Sequence, residues 1–241
     1  MFDLKNKIVI VTGSNKGNGL AISEGLKKAN ARVIGIDIQF DLKDEHSYEL
    51  DLTNTNLMKE LIDDVHKKYG SIYGLVNNAG ISLESSDPYL DMETYDKTIA
   101  INLNAAFQLC ASVLPYMAEQ GEGSIVNITS LGAELGFANN PAYQISKAGL
   151  KQMTKALAKD WGSSGIRVNN ICPGYIQTSM TQKSFNDPVM HNARKNKTVL
   201  GRWGQSEDLV GPTIFLLSKG SSYITGSDIY VDGGWTANAG I

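Results

Sequence analysis

The run Ile8-Val9-Ile10-Val11, followed at once by Thr12-Gly13-Ser14-Asn15-Lys16-Gly17-Asn18-Gly19, leaves this chain few folds to choose from. Four consecutive apolar, β-branched residues read as a strand buried on both faces. Beyond the turn, Gly19, Ile22, Leu26 and Ala29 share one helix face through their spacing of 3, 4 and 3. A second buried strand, Val33-Ile34-Gly35-Ile36, ends at Asp37. Strand, glycine turn, helix and strand form the opening of a nucleotide-binding α/β sheet. Gly13 permits the tight turn, Gly17 lets backbone approach a pyrophosphate, and Gly19 lets the helix pack on the strand. The helix N-terminus then offers free N–H groups and a positive dipole to phosphates, with Ser14, Asn15, Lys16 and Asn18 beside them.

The alternation continues along the chain. Leu57, Leu61 and Val65 mark a helix face, and Gly74-Leu75-Val76 a strand. A mostly helical stretch runs from Met92 towards Glu119, with Pro115 expected to kink or end it. Ser124 to Ile128 reads as a strand, Pro141 to about Gly162 as a helix, and Ile166 to Ile171 as a strand. Ser206 to Leu217 is a last helix and Asp228 to Val231 a last strand. With a weak strand at Tyr48-Glu49-Leu50 the count is seven. Such short buried strands require a doubly wound parallel sheet in three layers.

Two segments break the rhythm. Residues 38–50 number only 13, barely enough for a parallel crossover, so the usual helix there is expected to be vestigial or missing. Residues 176–200 are polar and weakly periodic, which suggests an irregular substrate lid. Residues 1–241 are otherwise read as one domain, with no repeat or linker.

Composition narrows the function classes. A net charge of −3 without basic blocks argues against electrostatic binding of nucleic acid or membranes. No uninterrupted apolar run approaches the ~18 residues of a bilayer span. The start, Met1 to Lys7, has no apolar signal region. Cys110 and Cys172 form no disulfide framework, and His46, His66 and His191 have no metal-ligand spacing. The expectation is a soluble cytoplasmic protein that holds no metal.

The chemistry-bearing residues lie at strand ends and on one helix. In Tyr143-Gln144-Ile145-Ser146-Lys147, Tyr143 and Lys147 fall at i and i+4, one above the other. A phenol with pKa near ~10 serves as acid or base at neutral pH only where a cation stabilises the phenolate, and Lys147 is placed to supply it. Ser130 follows the strand ending near Ile128, at the carboxyl edge where open α/β sheets bind ligands. Asn77-Asn78-Ala79-Gly80 follows the strand ending at Val76, and Pro173-Gly174 follows the sixth, with Thr178 shortly after. Asn102 lies in the long helix. Asp37 sits where a carboxylate accepts hydrogen bonds from an adenosine ribose and repels a 2′-phosphate, which favours NAD; Lys16 pulls towards NADP.

Taken together, these residues resemble the short-chain dehydrogenase/reductases over essentially the whole chain. The resemblance rests on Thr12-Gly13 with Gly17 and Gly19, Asp51, Asn77 to Gly80, Asn102, Ser130, Tyr143, Lys147, Pro173-Gly174, Thr178 and Asp232-Gly233-Gly234. It implies a Rossmann-type fold, an NAD or NADP cofactor, a small-molecule substrate and commonly a homotetramer. It further implies that Tyr143 moves the proton, Ser130 binds the reacting oxygen, and Lys147 holds the nicotinamide ribose. Asn102 would hold a relay water. Asn78, Ala79 and Gly80 would flank the cofactor, Asp51 and Leu52 would border the adenine, and Pro173, Gly174, Ile176 and Thr178 would anchor the carboxamide end. Asn18 departs from the usual Ile or Leu of the family.

Ala133 to Gly136, Gly201-Arg202-Trp203-Gly204 and Glu207-Asp208-Leu209 with Gly211-Pro212 look like the gluconate 5-dehydrogenase and 2-dehydro-3-deoxygluconate dehydrogenase branch. A sugar acid or polyol would suit a lid carrying Asn186, Asn192, Arg194 and Lys195. A 3-oxoacyl-carrier-protein reductase using NADPH, with Lys195 and Lys197 at its entrance, is an alternative, as is a dihydrodiol dehydrogenase. A cofactor-binding regulator without catalysis is the alternative of another class.

Overall fold

In β1 (Ile8–Thr12), neighbouring side chains part to opposite faces of a sheet. Ile8 and Ile10 enter one apolar core, Val9 and Val11 the other. This is the period of two expected of a strand covered on both sides. In the computed structural model, which describes residues 1–83 and 85–238, the elements then follow in order. They are α1 (Gly17–Lys28), β2 (Arg32–Asp37), β3 (Ser47–Glu49), α2 (Thr55–Tyr69), β4 (Ile72–Asn77), α3 (Met92–Ile99) and α4 (Ala105–Gln120). After these come β5 (Gly123–Ile128), α5 (Pro141–Trp161), β6 (Ile166–Pro173), α6 (Gln182–Asn186), α7 (Pro188–Lys195), α8 (Val210–Leu217) and β7 (Asp228–Val231).

The seven strands form one parallel sheet in the order β3-β2-β1-β4-β5-β6-β7. One face carries α2, α4 and α5 over a core built on Ile10, Ile62, Leu109 and Ile125; the other carries α1 and α8 over Val11, Ile22 and Leu216. This is the expected three-layer α/β arrangement of Rossmann type. The strand order reverses between β1 and β4, which opens a crevice at their carboxyl ends.

Local signals place the helix starts. Asn54 accepts from Leu57 N at 3.3 Å to cap α2, and Asp91 accepts from Thr94 N at 2.9 Å to cap α3. Pro141 opens α5 from the first turn, where its missing N–H costs nothing.

Three sequence expectations need correction or refinement. Pro115 does not end its helix: α4 runs through it to Gln120 and stops at Gly121, in the left-handed region at φ 71°. The break falls earlier, in a wide π-turn at Ala100–Asn104 joining α3 to α4. The combined helix Met92–Gln120 is by length and composition apolar enough to cross a membrane, a property hidden when only uninterrupted apolar runs are counted. Here Leu109, Cys110, Val113, Leu114 and Met117 bury one of its faces in the core. Lastly, residues 176–200 are more ordered than their weak periodicity implied. Asp187 accepts from Val189 N and Met190 N, Pro188 follows in the first turn, and α7 starts there.

The 38–46 connection carries no helix, as the clipped length predicted. It is held instead by Asp41 N donating to Asn15 Oδ1 and Phe40 N to Glu49 Oε1. A row of polar side chains also crosses the sheet near its carboxyl end. Asn77, Asn127, Asn170 and Asp228 are register partners on adjacent strands, linked by Asn77 Nδ2 to Asn127 Oδ1 at 2.8 Å and Asn170 Nδ2 to Asp228 Oδ1 at 2.7 Å. Thr154 of α5 bridges Asn127 and Asn170 at 2.7 and 2.6 Å. Asn77 Oδ1 alone in this row is left without a partner among the described residues, and the linked amides fix the strand ends on which the site is built.

Candidate active site

The glycine turn wraps the start of α1 around the carboxyl end of β1. Gly13 and Gly17 have φ of 64° and 54°, in the region that favours glycine. A Cβ on Gly19 would stand 1.9 Å from the Gly13 carbonyl oxygen, so helix and strand meet only because it is absent. Thr12 Oγ1 receives the N–H groups of Asn78 and Ala79, both at 3.0 Å, and Asn78 Nδ2 donates back to Thr12 O at 2.9 Å. These bonds clamp the loop after β4 to the glycine turn. Between them lies a cleft of about 360 Å³, within the range of small-molecule and cofactor sites.

Of the residues expected at a cofactor, the cleft is lined by Gly13, Asn15, Lys16, Gly17, Asn18, Asp37, Asp51, Leu52, Asn78, Ala79, Gly80 and Thr178. Asp37 is fixed by two backbone donors, Asn15 N at 2.9 Å and Ile38 N at 2.8 Å, while Lys16 is exposed at the mouth. Asn18 has a partner that an aliphatic residue could not have: its Oδ1 accepts from Ser206 Oγ at 2.9 Å, tying α1 to the segment before α8. Ser14 is turned away, its hydroxyl buried towards Gly35 and the Ile36 carbonyl. Pro173, Gly174 and Ile176 do not line this cleft. They set the backbone beyond β6, with Gly174 packed on Asp232 and Ile176 bridged to Gly204. The sequence reading missed Ile38, Gln39, Leu50, Ile81, Ile101, Ser179 and Met180, which complete the wall. Their only advance signal is position, next to residues or strand ends already singled out.

A second group sits deeper. Lys147 is buried and donates to the Ile128 carbonyl at 2.8 Å, with Nζ 5.8 Å from the Tyr143 ring centroid. Asn102 is buried in the π-turn, a geometry often found at functional sites. Its amide accepts from Ile81 N at 2.8 Å and donates to Ile81 O at 2.9 Å and to Ser146 Oγ at 3.1 Å. A Cβ on Gly80 would lie 3.2 Å from Asn102 Oδ1 and 3.4 Å from Lys147 Nζ, so the two polar groups face the same glycine. Ser130 caps a short turn by accepting from Gly132 N at 3.0 Å.

Electrostatics here correct one expectation. Burial pushes Lys147 down to about 8. The Tyr143 hydroxyl is not pulled below its ordinary value. Burial raises it, the hydrogen bond with Ser130 lowers it, and nearby Tyr175 adds a further upward push; the net direction is up. Tyr143 is therefore a neutral, protonated phenol at pH 7. For stability the sign follows from Lys147: below pH 8 it is protonated in both folded and unfolded states, and above 10.5 in neither. Between these limits the unfolded chain binds more protons, so stability rises with pH. Relative to Lys147→Met, the unmodified protein should gain about 3 kcal/mol from pH 8 to 10.5 in denaturant titrations. A flat difference would show that Lys147 is not held down by burial.

Above this group lies an aromatic box. Tyr175, directly after Pro173-Gly174, packs its ring 5.4 Å from Trp203, 5.1 Å from Trp235 and 6.2 Å from Phe137. Gln144 of α5 holds the Phe137 loop by donating to Phe137 O and accepting from Phe137 N, both at 2.7 Å. Helix α7 closes the far side: Trp203 Nε1 donates to His191 O at 3.2 Å, and the two rings stack at 5.6 Å. Of the polar residues expected on a lid, Asn186, Asn192 and Lys195 are exposed and Arg194 alone turns in, its Cζ 4.2 Å from the Tyr175 centroid. Of the box aromatics the sequence reading named only Trp203, although Tyr175 and Trp235 immediately follow the Pro-Gly and Gly-Gly turns it had marked.

A crevice at a topological switch point, bordered by a glycine turn and a Ser–Tyr–Lys group, defines a nicotinamide-dependent oxidoreductase. Residues 13–236 match the family model described as enoyl-(acyl carrier protein) reductase. The gluconate 5-dehydrogenase of Gluconobacter oxydans (strain 621H) is 32% identical over 250 residues, covering 99% of this chain and 98% of that one. A 3-oxoacyl-[acyl-carrier-protein] reductase of Thermotoga maritima is 36% identical over 246 residues, covering 96% and 98%. The crystal structure of a gluconate 5-dehydrogenase from Burkholderia cenocepacia J2315 in complex with NADP and tartrate superposes with a TM-score of 0.92 at 28% identity, covering 98% and 97%. The chain belongs to the short-chain dehydrogenase/reductase family and is an NAD(P)-dependent enzyme acting on CH–OH groups.

Proposed function

We propose that this enzyme catalyses reversible hydride transfer between NAD and a secondary alcohol of a small sugar acid or polyol. The observation that carries the reading is the grouping of Ser130, Tyr143 and Lys147 at the carboxyl end of β5, between the nucleotide cleft and the aromatic box. The full-length likeness to gluconate 5-dehydrogenases supports the substrate class.

When bound, the nicotinamide supplies the hydride donor or acceptor at its C4. The glycine turn and the N-terminus of α1 hold the pyrophosphate, Asp37 the adenosine ribose, and Asp51 and Leu52 the adenine edge. Asn78 to Gly80 and Thr178 border the rest. Tyr143 gives its proton to the alkoxide formed on reduction and takes it back on oxidation. Ser130 donates to the same oxygen and fixes its direction. Lys147 holds the ribose of the nicotinamide half. Asn102 keeps the Ile81 segment in place beside Lys147 and would hold a relay water. Residues 176–200 act as the lid of one catalytic domain spanning residues 1–241.

Self-association, as a homotetramer, is supported by exposed apolar side chains on the long helices, Phe107 of α4 and Ile145 of α5. A reducing cytoplasmic setting is supported by two free, buried cysteines, Cys110 and Cys172, whose thiols burial raises to about 12 and about 11.

A turnover screen tests the substrate reading. Sugar acids and polyols with NAD should be oxidised, whereas acetoacetyl thioesters with NADPH should turn over slowly. The reverse ranking would favour the carrier-protein reductase, which the Thermotoga maritima relative keeps in view. Cofactor binding without any turnover would leave a regulator.

A further inference from the structure

We propose that Arg194 is the specificity-determining residue of this site and recognises a carboxylate on the substrate. The inference deepens the sugar-acid reading and rests on it only for the skeleton that carries the carboxylate.

The chain has four arginines, and their surroundings differ. Arg167 donates to the carbonyls of Leu216, Ser218 and Ser221, and Arg202 grips Asp208 with two bonds of 2.7 and 2.9 Å. Arg32 lies exposed at the start of β2. Arg194 is part-buried, and its Nη1 is buried with no hydrogen-bond partner among the described residues. Every guanidinium nitrogen is a donor with no acceptor capacity, so this one needs an acceptor. An unpaired buried donor is a feature that calls for explanation.

Position supplies the explanation. The guanidinium carbon lies 4.2 Å from the Tyr175 ring centroid and 5.7 Å from that of Trp203, a stacked pose that holds the plane of the fork. Tyr175 in turn lies close enough to Tyr143 to raise its pKa. A guanidinium held against aromatic faces, with an unpartnered donor and one residue removed from the proposed proton donor, is the group that takes a carboxylate by charge-assisted hydrogen bonds. The acid would dock on Arg194 while its alcohol carbon lies at Tyr143 and Ser130. Because Arg194 rides on α7, the same contact would draw the lid helix onto the substrate.

The test uses the NAD-loaded protein and its Arg194→Gln and Arg194→Lys variants. Turnover is measured with gluconate and with glucitol, which has alcohol groups but no carboxylate. Binding of tartrate and gluconate is followed separately by tryptophan fluorescence, since Trp203 and Trp235 border the box. Arg194→Gln should raise KM for gluconate and weaken tartrate binding by about 10–100-fold, the loss expected for a charge-assisted pair, with a much smaller loss for glucitol, which shares only the box packing. Arg194→Lys should recover only part, because an ammonium keeps the charge but not the fork. Parallel losses with gluconate and glucitol would reduce Arg194 to lid packing and overturn the proposal. Failure of the unmodified protein to bind either acid would overturn it too. Acid binding that depends on Arg194, without sugar-acid turnover, would uphold the carboxylate site and defeat only the proposed substrate.

Discussion

Replacing Tyr143 by Phe should leave the protein folded and able to bind its dinucleotide while turnover falls by about 10²–10⁴-fold, the usual contribution of a general acid–base group. The ring stays, so its packing near Gly132 and Tyr175 is kept; only the hydroxyl beside Ser130 is lost. Thermal unfolding and a cofactor titration should therefore match the unmodified protein within error. The direction of the Tyr143 shift adds a second readout. A phenol held above its ordinary value is protonated at neutral pH, which is the state needed for carbonyl reduction. Alcohol oxidation needs the phenolate, so its rate should climb with pH on the alkaline side, and that climb should vanish in the variant. Near-full turnover by Tyr143→Phe would remove Tyr143 from the proton transfer, and a loss of folding would show its hydroxyl to be structural.

Much of this site could be read from spacing because its parts are local. Strand, glycine turn and acidic strand end lie within one short stretch, and Tyr143 and Lys147 are one helical turn apart. What each side chain does once folded depends on non-local surroundings. Lys147 looked like the cation that depresses the tyrosine, but burial acts on both groups, pushing the ammonium down and the phenol up. Ser14 belonged to the glycine turn by sequence, yet its hydroxyl faces Gly35 and the Ile36 carbonyl rather than the cleft. Asn18 seemed a misfit until Ser206, 188 residues away, supplied its partner. The aromatic box is drawn from loops after β5, β6 and β7, and single aromatics carry no periodic signal. The π-turn that buries Asn102 is equally silent, since Ala100 to Asn104 have the composition of ordinary helix and Pro115 draws attention away from it.

The unmodified protein should bind NAD more tightly than NADP by about tenfold to a few hundredfold. The argument starts from the Asp37 carboxylate, whose oxygens each accept one backbone N–H, from Asn15 and from Ile38. These bonds hold the group at the cleft wall with lone pairs left for the adenosine ribose hydroxyls. A 2′-phosphate at the same place would meet a fixed negative charge. Asp41, tied to Asn15 in the adjoining loop, adds a second. Lys16 offers the only opposing charge among the described residues that line the cleft, but it is exposed and screened at physiological salt. Removing the whole side chain would also cut the backbone bonds that shape the turn, so Asp37→Asn is the sharper variant. It keeps an acceptor for Asn15 N and discards the charge. NAD binding should weaken and NADP binding should strengthen, narrowing the gap from both sides, while Lys16→Ala should leave the NAD constant little changed. Fluorescence titration of both dinucleotides against the three proteins decides it. Tighter binding of NADP than of NAD by the unmodified protein would mean that Lys16 outweighs Asp37 and that the carboxylate serves the glycine turn alone.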